Sequence, residues 1–96
     1  MGRRPVVIVS HDGFNEAPGW RSLIVVPVST SATQAQRGPT AVPLVEGAGG
    51  LRRAGVVLCH QVTTLDRAKL TRRLGTLRPD ALERIEDGLK TALDLD

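Results

Sequence analysis

No apolar run in this chain extends far before proline, glycine or charge interrupts it, and that interruption limits the folds open to it. Three runs stand out: Val6-Val7-Ile8-Val9, Leu23-Ile24-Val25-Val26 with Val28 following, and Val56-Val57-Leu58-Cys59. Each is mostly β-branched and too short for a helix, so each reads as a buried strand. Continuous apolar strands are common in parallel sheets, but a parallel pair needs a long crossover, usually a helix. Residues 11–21 contain Gly13, Pro18 and Gly19, and residues 30–53 contain Gly38, Pro39, Pro43, Gly47, Gly49 and Gly50. Neither stretch can hold such a helix. The expectation is a mainly β fold: an antiparallel, curled sheet or small barrel.

Further elements fill the frame. Thr40-Ala41-Val42-Pro43-Leu44-Val45 reads as another strand, its proline pointing to an edge or a bulge. Gly47-Ala48-Gly49-Gly50 reads as a turn, since neither a helix nor a Lys-Ser/Thr pair follows it as a phosphate-cradling loop requires. Leu70 to Leu77, carrying Arg72 and Arg73, is taken as a last short strand. Pro79 suits the first position of a C-terminal helix, with Asp80 and Glu83 at its positive end. Leu82, Ile85, Leu89 and Leu93 recur at helical spacing and form the stripe expected to pack on the sheet. Asp80–Arg84 and Glu86–Lys90 are i,i+4 pairs worth ~0.3 kcal/mol each. Gly88 inside the pattern costs roughly 1 kcal/mol against alanine, so docking must hold the helix.

With 96 residues the chain has room for one domain and one small core: a barrel over 4–77 and a helix over 79–94. A single cysteine excludes a disulfide-stapled fold and suits a reducing cytoplasm. No run is long enough to span a membrane, and no secretory signal is visible. The net charge of +3 hides a division. Up to Pro79 there are 11 basic residues against four acidic (Asp12, Glu16, Glu46 and Asp66); from Asp80 onward there are two against six. Eleven of the 13 basic residues are arginine, whose planar fork suits phosphate. Phosphate or RNA contact by the first segment is one reading; a compositional bias toward arginine is the other.

For chemistry, the soft or imidazole ligands are His11, Cys59 and His60, without the spacing of a known metal cluster, so no metal or cofactor is expected. His11-Asp12 reads as a solvated turn and Cys59 as a buried small hydrophobe. A Cys59–His60 nucleophile pair is not supported, because adjacent strand residues point to opposite faces. Ser29-Thr30-Ser31 follows the second run, and Arg3-Arg4-Pro5 opens the first. If those strands pair antiparallel, Arg4 and Ser29 share one rim of the sheet. Fixed positive charge beside a hydroxyl donor suits a phosphodiester in reaction; taken singly, a Ser-Thr-Ser run after a strand is more often a plain turn, and the pairing with Arg4 is what raises the other reading.

Arg4-Pro5-Val6-Val7-Ile8-Val9-Ser10-His11-Asp12-Gly13-Phe14-Asn15 resembles the first strand and turn of MazF/PemK-type toxins. Val25-Val26-Pro27-Val28-Ser29-Thr30-Ser31 is similar to their second-strand block, and Gly38-Pro39-Thr40-Ala41-Val42-Pro43-Leu44 to their third. Val56 through Leu65, with His60-Gln61-Val62-Thr63, resembles the block after that. The likeness runs in order over nearly the whole chain. It implies an SH3-like antiparallel β-barrel of the CcdB/PemK type with a C-terminal helix, assembled as a homodimer. It also implies a metal-independent endoribonuclease toxin that cuts single-stranded RNA such as mRNA at short sequences and is neutralised by a small antitoxin, with operator DNA bound only together with that antitoxin. The catalytic positions carry over to Arg4 and Ser29; Arg3, Thr30, Ser31, Arg37, His60 and Gln61 are candidate RNA contacts. Phe14 and Trp20 are the only aromatics, so base stacking cannot be extensive.

Three departures accompany the likeness. The chain starts at Met1-Gly2-Arg3, without the opening strand and loop the family places before its Arg-Pro pair, so an edge strand is expected to be missing. His60 stands where an acid is common, and Ser29 where threonine is common. The rival reading is a shortened paralogue that binds antitoxin, or helps repress its operon, without cutting. A topoisomerase poison on the same barrel is a third.

Overall fold

The computed structural model describes residues 4–30 and 38–95. In chain order they form β1 (Val6–Ile8), a single helical turn α1 (Asp12–Asn15), β2 (Ser22–Ser29), β3 (Ala41–Leu44), β4 (Gly55–Leu58), β5 (Thr63–Asp66) and the C-terminal helix α2 (Pro79–Ala92). All strand pairings are antiparallel. The expected class holds: a mainly β, antiparallel sheet with a C-terminal helix. Among the described residues the ladder is open, in the order β1-β2-β4-β3 with β5 also on β2.

β2 is the axis of the molecule. One of its edges carries β1, with Val6 opposite Pro27 and Ile8 opposite Val25. Its other edge carries β5 against Ser22–Val25 and then β4 against Val28 and Ser29. β4 and β5 are thus successive lengths of chain along one edge, separated by a 3₁₀ turn at Cys59–Gln61. Burial along β2 records the change of partner. Leu23 and Val25 are buried, and then Val26 and Val28, so the alternation of a simple two-faced strand slips by one residue where β2 passes from β5 to β4.

The core lies between the sheet and α2. Val26, Val28, Val42, Leu44, Val57 and Cys59 from the sheet side pack with Ala81 and Ile85 of the helix. Ile85 is 1% exposed, and burying such a side chain contributes about 1.5–3 kcal/mol. Gly88 has a definite reason: a Cβ there would sit 2.8 Å from Cys59 Sγ and 3.2 Å from Val42 Cγ2. The helix comes this close to the Cys59 turn because nothing projects from Gly88, and the Cys59 thiol donates to the Ile85 carbonyl at 3.7 Å.

Three expectations need correction. The helix buries Ala81, Ile85 and Gly88, not the full leucine stripe; Leu82 and Leu93 are 38% and 53% exposed. Ile85 is buried as expected and Leu89 packs partly against the core; Ala81 and Gly88 complete the buried face, Gly88 where the Cys59 turn leaves no room for a Cβ. The helix also ends at Ala92, two residues short of the expected limit. The Leu70–Leu77 stretch is not a strand: residues 70–78 have no regular secondary structure. The fifth strand is Thr63–Asp66, paired along its length with Ser22–Val25.

Candidate active site at the end of the β1–β2 pair

The local sequence explains how β1 begins. Pro5 has no N–H to donate, so its pairing with β2 is single: Val28 N–H donates to the Pro5 carbonyl at 3.1 Å. Residues 6, 7 and 8 face 27, 26 and 25. Continued by two residues through that hydrogen bond, the register sets Arg4 directly opposite Ser29. In an antiparallel ladder, residues flanking a hydrogen-bonded pair form the closer, non-hydrogen-bonded pairs, with Cα atoms about 4.5 Å apart. Arg4 is exposed and Ser29 half-buried. An arginine head carries charge at any physiological pH, so this rim joins a fixed cation to a hydroxyl group.

The other residues singled out from the sequence fall at different distances. Thr30 follows Ser29 directly and is exposed. Arg3, Ser31 and Arg37 lie outside the described residues. His60 and Gln61 sit in the 3₁₀ turn between β4 and β5, both exposed, with their Nε2 atoms 3.4 Å apart. That turn stands opposite the middle of β2, about three residues or ~10 Å along the strand from Ser29. Cys59 and His60 make no dyad, for a different reason from the one expected. They lie in a turn, with Cys59 fully buried beneath α2 and His60 in solvent. Burial pushes the Cys59 thiol up from its ordinary value. Among the described residues no group of three or more His, Cys, Asp or Glu is placed to hold a metal ion.

The opposite end of β2 has its own construction. His11 caps α1 by accepting from Gly13 N–H on Nδ1 at 2.9 Å, so His11-Asp12 is an exposed turn as expected. Asn15 Nδ2 donates to the Ser10 carbonyl at 2.8 Å. Phe14 and Trp20 stack in a tilted pair with centroids 5.1 Å apart. With Ser10, Ser22, Ile24 and Thr64 they line a cavity of about 270 Å³. Arg67 fastens this loop, donating to the carbonyls of Asn15 and Trp20. Beside it, Arg21 pairs with Asp66 at 2.9 Å. The Asp66 carboxyl is held below the usual range, first by the Ala68 N–H and then by Arg21. Seven residues of strand, ~23 Å, separate this aromatic pair from Ser29.

Sequence reasoning missed one group near the rim. Val56 of β4 pairs with Ser29, and a Cβ on Gly55 would lie 3.2 Å from the Ser29 carbonyl oxygen. Arg52 and Arg53, both exposed, precede that glycine and therefore sit at the Ser29 end of the sheet. The signal was an Arg-Arg pair just before an apolar strand, and only the β2–β4 pairing gives it meaning.

Comparison with known proteins places the family and the fold. The family model for PemK-like, MazF-like toxins of type II toxin–antitoxin systems matches residues 1–93. The endoribonuclease EndoA of Bacillus subtilis (strain 168) is 27% identical over 94 residues, covering 98% of this chain and 78% of that protein. Among solved structures, Mycobacterium tuberculosis toxin MazF-mt6 superposes with a TM-score of 0.82 at 27% identity, covering 97% of this chain and 88% of that one. An endoribonuclease in complex with its cognate antitoxin, from a mycobacterial species, gives 0.83 at 26% identity, covering 99% and 84%.

Proposed function

Since this chain belongs to the PemK-like, MazF-like toxins of type II toxin–antitoxin systems, we propose that it is an endoribonuclease that cuts single-stranded RNA at the Arg4–Ser29 rim. The observation that supports this reading is the antiparallel β1–β2 register, in which the start of β1, next to exposed Arg4, lies at the same end of the sheet as the end of β2 at Ser29.

The chemistry follows from the substrate. RNA carries its own nucleophile, the 2′-OH, which attacks the neighbouring phosphorus while the bond to the 5′-oxygen breaks. The products are a 2′,3′-cyclic phosphate and a free 5′-hydroxyl, and the proton lost from one oxygen matches the proton gained by the other. The protein therefore has no nucleophile to supply and no metal to bind for this route. What it supplies is preorganised charge: Arg4 holds the phosphoryl oxygens as negative charge builds on them, and Ser29 donates a hydrogen bond to the same group. Thr30, His60 and Gln61, with Arg3, Ser31 and Arg37, are proposed to contact RNA backbone or bases. The functional unit is a homodimer acting in the cytoplasm and held inactive by a small antitoxin, with operator DNA engaged only through that complex.

The test is incubation of the purified protein with long single-stranded RNA in the presence of a chelator. Short, sequence-specific fragments with cyclic phosphate ends are expected. Arg4→Ala should slow cleavage by on the order of 10²–10³-fold, equivalent to ~3 kcal/mol in barrier, and Ser29→Ala should weaken it less. Undiminished cutting by Arg4→Ala removes the assignment. Intact RNA together with tight antitoxin binding by the wild type replaces it with a non-cutting, antitoxin-binding protein.

A further inference from the structure

The first glycine-rich turn and the irregular segment before α2 meet backbone to backbone. A Cβ on Gly50 would lie 2.2 Å from the Leu74 carbonyl oxygen, and one on Gly75 would lie 2.7 Å from the Gly49 carbonyl oxygen. Two stretches distant in sequence are thereby locked together, and each carries an Arg-Arg pair next to the contact: Arg52-Arg53 and Arg72-Arg73. At no more than ~3.6 Å of chain per residue, all four Cα atoms lie within about 11 Å of the glycine contact.

All four side chains are exposed. Among the described residues none of them forms an ion pair, whereas their neighbours Arg78 and Arg84 are both engaged by Asp80. Arg73 makes one hydrogen bond, to the Thr76 hydroxyl. Four exposed guanidinium groups without carboxylate ion pairs among the described residues, carried on two segments locked together, make this region positive and favour a multivalent anion. The cluster is also continuous with the rim, since Arg53 lies three residues along the chain from Val56, the β4 partner of Ser29.

We propose that Arg52, Arg53, Arg72 and Arg73 form a phosphate rail that holds the RNA backbone flanking the cleaved link. This deepens the nuclease reading and rests on it for the identity of the polymer. The arginine fork binds phosphate oxygens in pairs without reading base identity. The rail therefore contributes affinity and register for long substrates, while sequence choice is made elsewhere.

The experiment uses the full chain carrying Arg4→Ala, so that RNA stays whole, with and without R52Q/R53Q/R72Q/R73Q. Fluorescence anisotropy across a salt series is read with a long single-stranded RNA, a pentanucleotide RNA and duplex DNA as probes. Each phosphate contact on a single strand contributes roughly 0.7 to the slope of log K against log salt. The fourfold variant should lose about 3 from that slope on long RNA and weaken binding by at least ~10-fold at low salt, with a smaller penalty on the pentanucleotide. The all-lysine counterpart should keep most of the slope. If the fourfold variant fails to fold, R52Q/R53Q carries the test, with an expected loss of about 1.4 in slope. Unchanged affinity and slope in these variants overturn the rail, as does a preference of the parent for duplex DNA over single-stranded RNA. The underlying reading fails separately. A wild type that leaves RNA whole, yet binds it through these four arginines, loses the nuclease assignment and keeps the rail.

Discussion

Gly88→Ala places a methyl group where α2 touches the Cys59 turn, and its effect follows from two opposed quantities. The added Cβ would stand 2.8 Å from Cys59 Sγ, 3.2 Å from Val42 Cγ2 and 3.4 Å from Cys59 Cβ, against ordinary carbon contacts of about 3.5–4.0 Å. Cys59 is fully buried and its thiol points at the Ile85 carbonyl, so sulfur cannot simply swing aside. Overpacking of this kind costs about 1–3 kcal/mol. Alanine repays roughly 1 kcal/mol through helix propensity, leaving a net loss of about 1 kcal/mol. For a chain of this size that lowers the melting temperature by ~4–8 °C. In a Cys59→Ala background the nearest obstructing atom is gone, and the same substitution should become neutral or mildly stabilising. The resulting coupling is about 1–2 kcal/mol, well above the ~0.3–0.5 kcal/mol within which independent sites add. Urea unfolding followed by far-UV circular dichroism measures all four corners of the cycle, provided m stays constant. A rise in the wild-type midpoint on Gly88→Ala, or equal shifts in both backgrounds, would refute the account of why the helix carries a glycine.

Four further outcomes are expected. Gly50→Ala forces a side chain at φ +84° into the Leu74 carbonyl; it should destabilise by at least ~2 kcal/mol and, because it separates the two arginine pairs, weaken long-RNA binding as well. Arg67→Ala releases the carbonyls of Asn15 and Trp20. Trp20 is the sole tryptophan, so its emission should shift to the red with little change in far-UV signal. The raised Cys59 value means that the folded state keeps a proton the unfolded chain gives up. Stability linked to it is complete below the ordinary thiol value of about 8.5 and falls as pH rises above it, so Cys59→Ala should flatten the alkaline limb of a stability–pH curve. Asp66 is shifted the other way. Its contribution is present above the ordinary aspartate value of about 3.9 and lost as pH falls through the lower folded value; the gap in midpoint between wild type and Asp66→Asn should close in acid.

What could be read in advance divides along physical lines. Three β-branched runs bounded by breakers became β1, β2 and β4, because continuous apolarity over four residues leaves little choice but burial. Pro79 marked the helix start correctly, since its fixed φ and missing N–H are tolerated there. The expectation that Arg4 and Ser29 share one rim needed only the inference that the first two strands are antiparallel, and β1 and β2 do pair in that sense. β5 was harder. Thr63, Thr64 and Asp66 are exposed and Leu65 half-buried, so the strand exists through its pairing with β2 and shows little apolar pattern of its own. Leu70–Leu77 drew the assignment instead, although Gly75 sits where backbone must meet backbone. The face of α2 was read only in part: Ile85 and Leu89 do meet the core, but Gly88 sits where the Cys59 turn leaves no room for a Cβ, and no spacing rule records the shape of the other partner. The Arg52–Arg53 pair was visible as letters, and its nearness to Ser29 depends on strand order.

The Cys59–Gln61 turn also bears on which insertions and deletions the chain tolerates. With Val62 it interposes four residues between two lengths that both pair with β2, and Cys59 is pinned under the helix, so a change in length there cannot be absorbed locally. Loss of one residue would drag β5 along by a single step and present Asp66 where Leu65 now meets Leu23, reversing the sidedness of that strand. Loss of two would restore sidedness and merely displace the strand. Viable length variants of this segment should therefore differ by even numbers, a parity rule set by the pleat.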